Sequence, residues 1–155
     1  MRTRKTLIMV AVLFAAATLC YAADDANMGT WKLNEGKTKL PATAAKNSTV
    51  VYSADGDNVK VAIDGTTADG KSFHSDWTGK FDGKDYAVTG DPNSDMRSYT
   101  RVNANTLTSV AKKDGKQTGT ARIMVAPDGK SRTVTFNGMD AKGKKISFTA
   151  HYDKE

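Results

Sequence analysis

Residue types that often carry chemistry are scarce in this sequence, which has two histidines and one cysteine. His74 and Asp76 lie two residues apart, so on a strand both point to one face, where a histidine and a carboxylate can act as an acid–base pair. The opposite face of that segment carries Phe73 and Trp77 and is predicted to be buried. His74 then faces solvent, where such pairs are hydrated surface contacts. We therefore predict no catalytic residues and no enzyme.

A second polar group, Asp91, Asn93 and Asp95, has the alternating oxygen atoms of a calcium-binding loop. The pattern then departs from such a loop, with Met96 where a glycine belongs and Val102 where the closing glutamate belongs. An aspartate followed by proline favours a turn, which is the interpretation we prefer over calcium. A zinc site needs more histidine, cysteine or converging carboxylate ligands than we find. We expect no metal and no cofactor.

The start of the chain has the pattern of a removable leader. A basic start is followed by an apolar run over residues 7–19, and small side chains at Cys20 and Ala22 occupy the positions that a signal peptidase reads. We predict a signal peptide over residues 1–22, cleaved after Ala22, and a periplasmic or secreted protein. The run is shorter than the roughly 20 residues that cross a bilayer, so the mature chain is predicted to have no transmembrane segment. Lipidation of Cys20 is the alternative, and residues 17–19 fit it poorly.

The mature chain is only mildly basic. Removal of residues 1–22 takes away three basic and no acidic residues, so the formal net charge falls from +6 to +3. Charges of both signs are mixed along the chain and aromatic residues are not interleaved with basic ones, so we expect no nucleic-acid partner. Cys20 leaves with the leader, and the domain therefore depends on its core. Residues 23–28 are predicted to be a mobile tail, followed by one domain over residues 29–155.

Turn signals recur at short intervals from residue 55 onward, as Asp-Gly or Asn-Gly pairs that suit tight hairpins. Between them lie runs rich in Val, Thr, Tyr, Phe and Ile, without an amphipathic helical pattern. We predict ten strands, at residues 29–34, 48–54, 58–64, 72–80, 84–89, 96–102, 105–112, 116–125, 131–137 and 145–152. Short turns between consecutive strands indicate an all-β fold, an antiparallel up-and-down barrel of 8–10 strands, because closure removes exposed edges.

Alternation along each predicted strand assigns its apolar side to the interior. The predicted interior, ligand-binding residues are Phe73, Trp77, Tyr86, Tyr99, Arg122, Phe148 and Tyr152. Two of them lie on mixed faces, because the Tyr99 face also carries two arginines and the Arg122 face is otherwise threonine and methionine. Such faces either line a polar lumen or look out to water.

Two further features have both a functional and a structural interpretation. Residues 35–47 form an unusually long connection, which suits a binding loop or a surface segment closing one end of a barrel. Lysines that directly follow Asp-Gly pairs form either a ring that binds an anionic surface or charged turns that keep the sheet soluble. These are Lys71, Lys84, Lys116 and Lys130. Aspartates alternate with them, which favours the structural interpretation.

The segment Gly29-Thr30-Trp31-Lys32-Leu33 resembles the opening strand of the calycin group, which comprises lipocalins and fatty-acid-binding proteins. Residues 76–84 resemble a segment of exported bacterial lipocalin-like proteins. The resemblance implies a barrel open at one end, with a cavity for a small hydrophobic molecule. It also implies that Gly29 and Trp31 are structural anchors, with Trp31 at the closed end.

The resemblance further implies an arginine packed over Trp31. In lipocalins this arginine comes from the last strand, but residues 145–153 contain none, which leaves Arg132 or Arg122 for that role. Fatty-acid-binding proteins hold a carboxylate with an arginine two residues before a tyrosine near the end of the chain. Here Ala150 stands at that place, so the resemblance does not extend to that site.

Together these patterns predict an exported, non-enzymatic binding protein that holds a small hydrophobic or amphipathic molecule in a β-barrel. The alternative is a solid barrel that acts as a protein-interaction or inhibitor module through residues 35–47 or the hairpin tips. The sequence specifies neither the ligand nor a protein partner.

Overall fold

The computed structural model describes residues 25–155, so the predicted leader and residues 23 and 24 lie outside the described part. The described chain forms ten strands that follow the predicted ones closely. They are β1 Gly29–Leu33, β2 Lys46–Asp55, β3 Asn58–Thr66, β4 Ser72–Gly79, β5 Tyr86–Thr89, β6 Met96–Asn103, β7 Thr106–Lys113, β8 Lys116–Val125, β9 Ser131–Met139 and β10 Lys145–Lys154. Within residues 25–155, no helix has the length and apolar character needed to cross a membrane.

The strands close into one antiparallel up-and-down barrel in the order β1-β10-β9-β8-β7-β6-β5-β4-β3-β2. Each strand pairs with its neighbours in sequence, and the ring closes where β1 pairs with β10, with Trp31 opposite Lys154. The predicted all-β barrel is thus confirmed, with ten strands. Its regularity follows from the short turns, because tight connections between antiparallel strands leave each strand beside the preceding one.

Alternating strand directions give the barrel two different ends. We call the closed end the one formed by the β2–β3, β4–β5, β6–β7 and β8–β9 connections together with residues 25–28. We call the mouth the end formed by the β1–β2, β3–β4, β5–β6, β7–β8 and β9–β10 connections. Lys71 and Lys116 follow turns at the mouth, whereas Lys84 and Lys130 follow turns at the closed end. These four lysines therefore do not form a single ring.

Three glycines on the inner side of the barrel face aromatic rings from adjacent strands. A Cβ atom on Gly65 would lie 2.6 Å from the Phe73 ring, one on Gly79 would lie 2.5 Å from Tyr86, and one on Gly119 would lie 2.5 Å from Phe136. Each ring therefore occupies the space that a side chain on its partner would need. Such pairing lets a glycine bend the sheet for closure while its backbone stays covered.

Residues 25–28 pack onto the closed end of the barrel. Asn27 is fully buried, and its carbonyl oxygen accepts a 2.8 Å hydrogen bond from Nε1 of Trp31. The Asp25 carboxylate forms an ion pair with Arg101, and Ala26 and Met28 pack against the core. The prediction of a mobile tail is therefore corrected for residues 25–28. The polar composition suggested exposure, but the segment is held by one buried backbone contact and one ion pair.

Candidate functional site

Two adjoining cavities lie in the barrel and share part of their lining. An inner cavity of about 130 Å³ lies within the barrel, and an outer cavity of about 530 Å³ lies toward the mouth. They share seven lining residues, which are Ala45, Asn47, Ile63, Arg97, Ala111, Phe136 and Phe148. The outer cavity is of the size that small-molecule sites have, roughly 300–1,000 Å³.

Four of the seven predicted ligand-binding residues line these cavities. Phe148 lines both, Phe73 lines the outer one, and Tyr99 and Tyr152 line the inner one. The Tyr152 hydroxyl donates a 3.1 Å hydrogen bond to the carbonyl oxygen of Asn47, which ties β10 to the start of β2. Tyr99 is buried and meets Trp77 edge to face, with 4.7 Å between ring centroids.

Two other predicted residues point inward but line neither cavity. Trp77 is buried in an aromatic cluster with Phe81, Tyr86 and Tyr99, and its Nε1 atom donates a 2.9 Å hydrogen bond to the Arg97 carbonyl. The half-buried Tyr86 covers Gly79, and its hydroxyl donates to Asp82 at 3.0 Å. These two side chains fill the wall of the barrel and are not positioned to contact a molecule in either cavity.

Arg122 is the predicted site residue that the structure places elsewhere. Its side chain is exposed on the outer face of β8, where Nε lies 3.4 Å from the sulfur of Met124. The inward face of β8 instead carries Gly119, Ala121 and Ile123, all of which line the inner cavity. The expectation that Arg122 lines the interior is therefore wrong. Its face had looked inward because the true inner face holds small residues, which carry little apolar signal.

The floor of the inner cavity is a layer of aromatic rings around Arg132. Its guanidinium carbon lies 4.7 Å from the Trp31 ring centroid and 5.0 Å from those of Tyr52 and Tyr152. The ammonium group of Lys154 approaches Trp31 as well, 5.1 Å from its ring centroid. Of the two candidate arginines for the position over Trp31, Arg132 occupies it. Charges over ring faces are attracted by the ring quadrupole, each contact contributing about 0.5–2 kcal/mol.

Both predicted anchors lie at the closed end. Trp31 is fully buried at the junction of β1, β2 and β10. Gly29 has a φ of +106°, a conformation that a residue with a side chain adopts only with strain. A Cβ there would also lie 2.9 Å from Cε of Lys154. The glycine is thus needed where the chain turns from residues 25–28 into β1.

A second guanidinium, that of Arg97, lines both cavities and is paired. Its Nη2 atom donates to the Asp91 carboxylate at 2.5 Å and to the Ser94 hydroxyl at 3.2 Å. Burial alone would lower the pKa of Arg97, but nearby Tyr99 and the Asp91 carboxylate hold that pKa above its ordinary value. Arg97 is therefore a charged group whose charge is already compensated on the mouth side.

The tyrosines beside Arg132 stay neutral at physiological pH. Burial raises the pKa of Tyr152 to about 12, although the Arg132 charge partly opposes this effect. Burial, followed by proximity to Tyr99, raises the pKa of Tyr52 well above its ordinary value. Neutral phenols add polar groups to the cavity wall without adding negative charge.

The polar groups that first suggested chemistry lie outside the cavities or serve the turns. His74 is exposed on the outer face, with Nδ1 2.7 Å from Asp64 and Nε2 3.2 Å from Asp76. Asp91 accepts hydrogen bonds from the Asn93 amide and the Ser94 hydroxyl, each at 2.7 Å, which fits the predicted turn. Over residues 25–155, no group of three or more His, Cys, Asp or Glu side chains is arranged to hold a metal ion.

The long connection between β1 and β2 folds back over the mouth. Leu40 lines the inner cavity, Ala44 is buried and lines the outer cavity, and Ala45 lines both. The connection is fastened to β10, since the backbone amide of His151 donates a 2.9 Å hydrogen bond to the Thr38 hydroxyl. Residues of this loop therefore supply part of the wall through which a molecule would reach the interior.

Sequence reasoning missed four cavity residues as site residues: Tyr52, Arg97, Phe136 and, except as a cover for Trp31, Arg132. Alternation carries a signal for three of them, and Arg97 lies on the mixed face of β6 that also carries Tyr99. Val50 and Tyr52 alternate on β2, and Arg132, Val134 and Phe136 alternate on β9. The arginines were hard to assign because charged side chains usually mark the solvent face of a strand.

The sequence matches no protein-family model and no curated protein at a significant level.

Proposed function

We propose that the mature chain is an exported, non-enzymatic barrel of the calycin type that holds a small hydrophobic or amphipathic molecule in its interior. The observation that carries the proposal is the 530 Å³ outer cavity, which adjoins the inner cavity and shares seven lining residues with it. Apolar side chains predominate where the two spaces meet, with a few polar groups deeper in the barrel. This combination of an apolar wall and few polar groups is typical of small-molecule sites.

The placement of Arg132 over Trp31 supports the calycin assignment, because it supplies the arginine that the opening strand implies. The pattern of residues 1–22 supports export, since a basic start and a short apolar run precede Ala22. The absence of turnover is proposed because His74, the histidine with carboxylate neighbours, lies on the outer face and away from both cavities. The alternative of a solid protein-binding barrel is disfavoured by the two cavities, which a solid interior would fill.

The proposal is tested with N-phenyl-1-naphthylamine, a neutral lipophilic probe whose fluorescence rises in apolar surroundings. Titration of the mature protein is expected to give saturable binding. Ala45→Trp places a bulky ring where the two cavities join and is expected to weaken binding about tenfold or more, which corresponds to about 1.4 kcal/mol. Ala87→Trp, at an exposed position of β5, is the matched control and should leave affinity unchanged. Absence of saturable binding to the unaltered protein would overturn the proposal.

A further inference from the structure

The lysines of the barrel are unevenly distributed between its two ends. Two turns at the mouth, residues 113–116 and 140–145, hold five lysines and only two aspartates. The charged turns of the closed end, residues 55–57, 80–85 and 126–130, hold three lysines and five aspartates. The two mouth turns thus have a formal positive charge, whereas the turns of the closed end have a formal negative charge.

The five lysines of the two mouth turns lie on adjacent hairpins and form one surface. We call this surface the lysine cluster, which consists of Lys113, Lys116, Lys142, Lys144 and Lys145. The hairpins adjoin because β8, which follows the first turn, pairs with β9, which precedes the second, so that Gly119 lies opposite Gly138. A surface groove of about 480 Å³ connects the two turns, since Gln117 beside the first turn and Met139 beside the second both line it.

Carboxylates of the protein do not neutralise the lysine cluster. Among the ion pairs of residues 25–155, none includes a lysine of the cluster. The Asp140 carboxylate instead accepts hydrogen bonds from the backbone amides of Lys144 and Lys142, which hold its pKa below its ordinary value. Lys113 is half-buried and the other four lysines are exposed. Their ammonium groups are therefore available to an anionic partner.

The residue types in and beside the cluster favour a lipid surface over a soluble polymer or a nucleic acid. Every basic residue of the two turns is a lysine, whose hydrated point charge suits diffuse attraction, whereas arginine suits bidentate contacts with individual phosphates. Neither turn holds an aromatic residue on which a base could stack. Met139 is 45 % exposed and lies opposite Lys145 in the pairing of β9 with β10. Exposed apolar and basic side chains together are typical of surfaces that bind at the headgroup boundary of a bilayer.

We propose that the lysine cluster docks the mouth of the barrel onto an anionic phospholipid bilayer. Each lysine held near such a surface raises the affinity about fivefold, so a cluster of this size is sufficient for reversible binding. Lys37 and Lys39 of the β1–β2 connection are exposed at the same end and extend the basic surface. The outer cavity lies at that end as well, so docking places it beside the lipid. The inference goes beyond the proposed binding function, because it is carried by charge on the surface and not by the interior.

Vesicle sedimentation tests the proposal on the mature protein. Vesicles of phosphatidylcholine with about 30 % phosphatidylglycerol are expected to bind the protein about tenfold or more tightly than vesicles of phosphatidylcholine alone. Raising the salt concentration from about 0.05 M to about 0.5 M should remove most of this binding, because exposed charges are screened. Equal binding to both kinds of vesicle, or binding to neither, would overturn the proposal. Binding of dextran sulfate without binding of anionic vesicles would assign the cluster to a soluble polyanion and would overturn it as well.

Two triple variants separate the effect of the cluster from that of net charge. The mouth variant combines three substitutions at exposed positions: Lys116→Gln, Lys144→Gln and Lys145→Gln. The control variant removes the same charge from exposed positions of the closed end: Lys80→Gln, Lys84→Gln and Lys130→Gln. The mouth variant is expected to bind anionic vesicles about 30- to 100-fold more weakly, and the control variant no more than about threefold more weakly. An equal loss in both variants would mean that net charge alone matters and would contradict docking by the mouth.

Lysine labelling of the unaltered protein locates the docked face without any substitution. Acetylation by acetic anhydride is followed by mass spectrometry with and without anionic vesicles. The vesicles should slow acetylation of the lysine cluster about threefold or more and leave Lys80, Lys84 and Lys130 unchanged, because only the mouth is covered. Protection that is equal at both ends, or greater at the closed end, would contradict the proposal. The naphthylamine probe reports on the interior, so a protein that binds the probe but not the vesicles would disprove docking and leave the binding function intact.

Discussion

The two ends of the barrel are built from the same kind of hairpin but differ in what fills them. At the closed end, Trp31 is fully buried and is held between Asn27, Arg132 and Lys154. At the mouth, the turns and the β1–β2 loop surround a cavity of about 530 Å³. The number of strands and their stagger set the diameter of the barrel, but side-chain volume decides which end is filled.

Stability and available space are separated along the barrel axis. The closed end carries the aromatic cluster and the packed segment of residues 25–28. The mouth carries side chains such as Phe148 and Phe73 that are only half-buried, because one side of each faces the cavity. Substitutions at the closed end should therefore mainly lower the unfolding free energy, and substitutions at the mouth should mainly lower the affinity for a bound molecule.

Trp31→Ala gives the largest effect expected. Loss of a fully buried tryptophan from a packed site costs about 3–5 kcal/mol of unfolding free energy. Phe148→Ala at the mouth is the comparison and should cost about 1–2 kcal/mol, because the ring is half-buried. Urea denaturation followed by circular dichroism measures both values. Equal losses of unfolding free energy in the two variants would mean that stability is not concentrated at the closed end.

Gly119→Ala is expected to fill space at the inner wall of the barrel. Its Cβ would lie 2.5 Å from the Phe136 ring, which is expected to swing into the cavity at a cost of about 1–2 kcal/mol. The loss in binding free energy of the neutral naphthylamine probe should exceed the loss in unfolding free energy. Gly36→Ala has an ordinary 3.5 Å neighbour contact and serves as the control, with little change in either property. Retention of full probe affinity in Gly119→Ala would show that Phe136 does not move inward.

Asp25→Asn tests the segment that covers the closed end. Burial alone would raise the pKa of Asp25, but hydrogen bonds from Arg101 and Asn27 hold that pKa below its ordinary value. A lowered carboxyl pKa stabilises the fold above the unfolded value of about 4, and this stabilisation is lost as the pH falls through the folded pKa. The variant should lose about 1 kcal/mol at pH 7, since the ion pair is partly screened, and less at pH 3.

Asp128→Asn is the matched control for that measurement. Asp128 also lies at the closed end, but its Oδ1 atom accepts a turn hydrogen bond from the Lys130 amide, which an asparagine retains. Denaturant midpoints at pH 7 and pH 3 should be the same as those of the unaltered protein. A loss independent of pH in Asp25→Asn would mean that the ion pair with Arg101 contributes nothing.

His74→Gln on the outer wall should have the smallest effect. Hydrogen bonding to Asp64, and then the charge of Asp76, raises the pKa of His74. A raised histidine pKa stabilises the fold below the unfolded value of about 6.5, and the stabilisation is lost as the pH rises through the folded pKa. Exposure limits the effect to about 0.5 kcal/mol or less at pH 5.5, with none at pH 9. Thermal melts at both pH values measure it, and a loss that persists at pH 9 would assign another role to His74.

The strands were predictable because turn signals are local. Asp-Gly pairs and alternating apolar residues placed all ten strands within a few residues of their observed bounds. Trp31 could be placed as well, because its size and its glycine neighbour on the opening strand imply a buried position.

The candidate site was less predictable because it depends on contacts between distant strands. Arg132 faces inward because rings from β1, β2 and β10 meet there. The sequence of β9 alone does not predict contacts with those rings. The prediction for Arg122 was wrong because the inner face of β8 carries the small residues Gly119 and Ala121, which leave room for Phe136. Small residues give that face only a weak apolar signal in the sequence. Residues 25–28 likewise depend on Arg101, more than 70 residues away along the chain.

The pairing of β1 with β10 closes the barrel into a ring in which these two neighbouring strands have no short covalent connection. Glu155 donates its backbone amide to the Thr30 carbonyl at 3.0 Å, so the end of β10 lies beside the start of β1. A short linker from residue 155 to residue 25 would make that connection, and the chain could then be opened at the exposed Gly115 turn. Such a circular permutant of residues 25–155 would keep every strand pair and have its termini at the mouth instead of the closed end. A reporter fused there would sit beside the cavity.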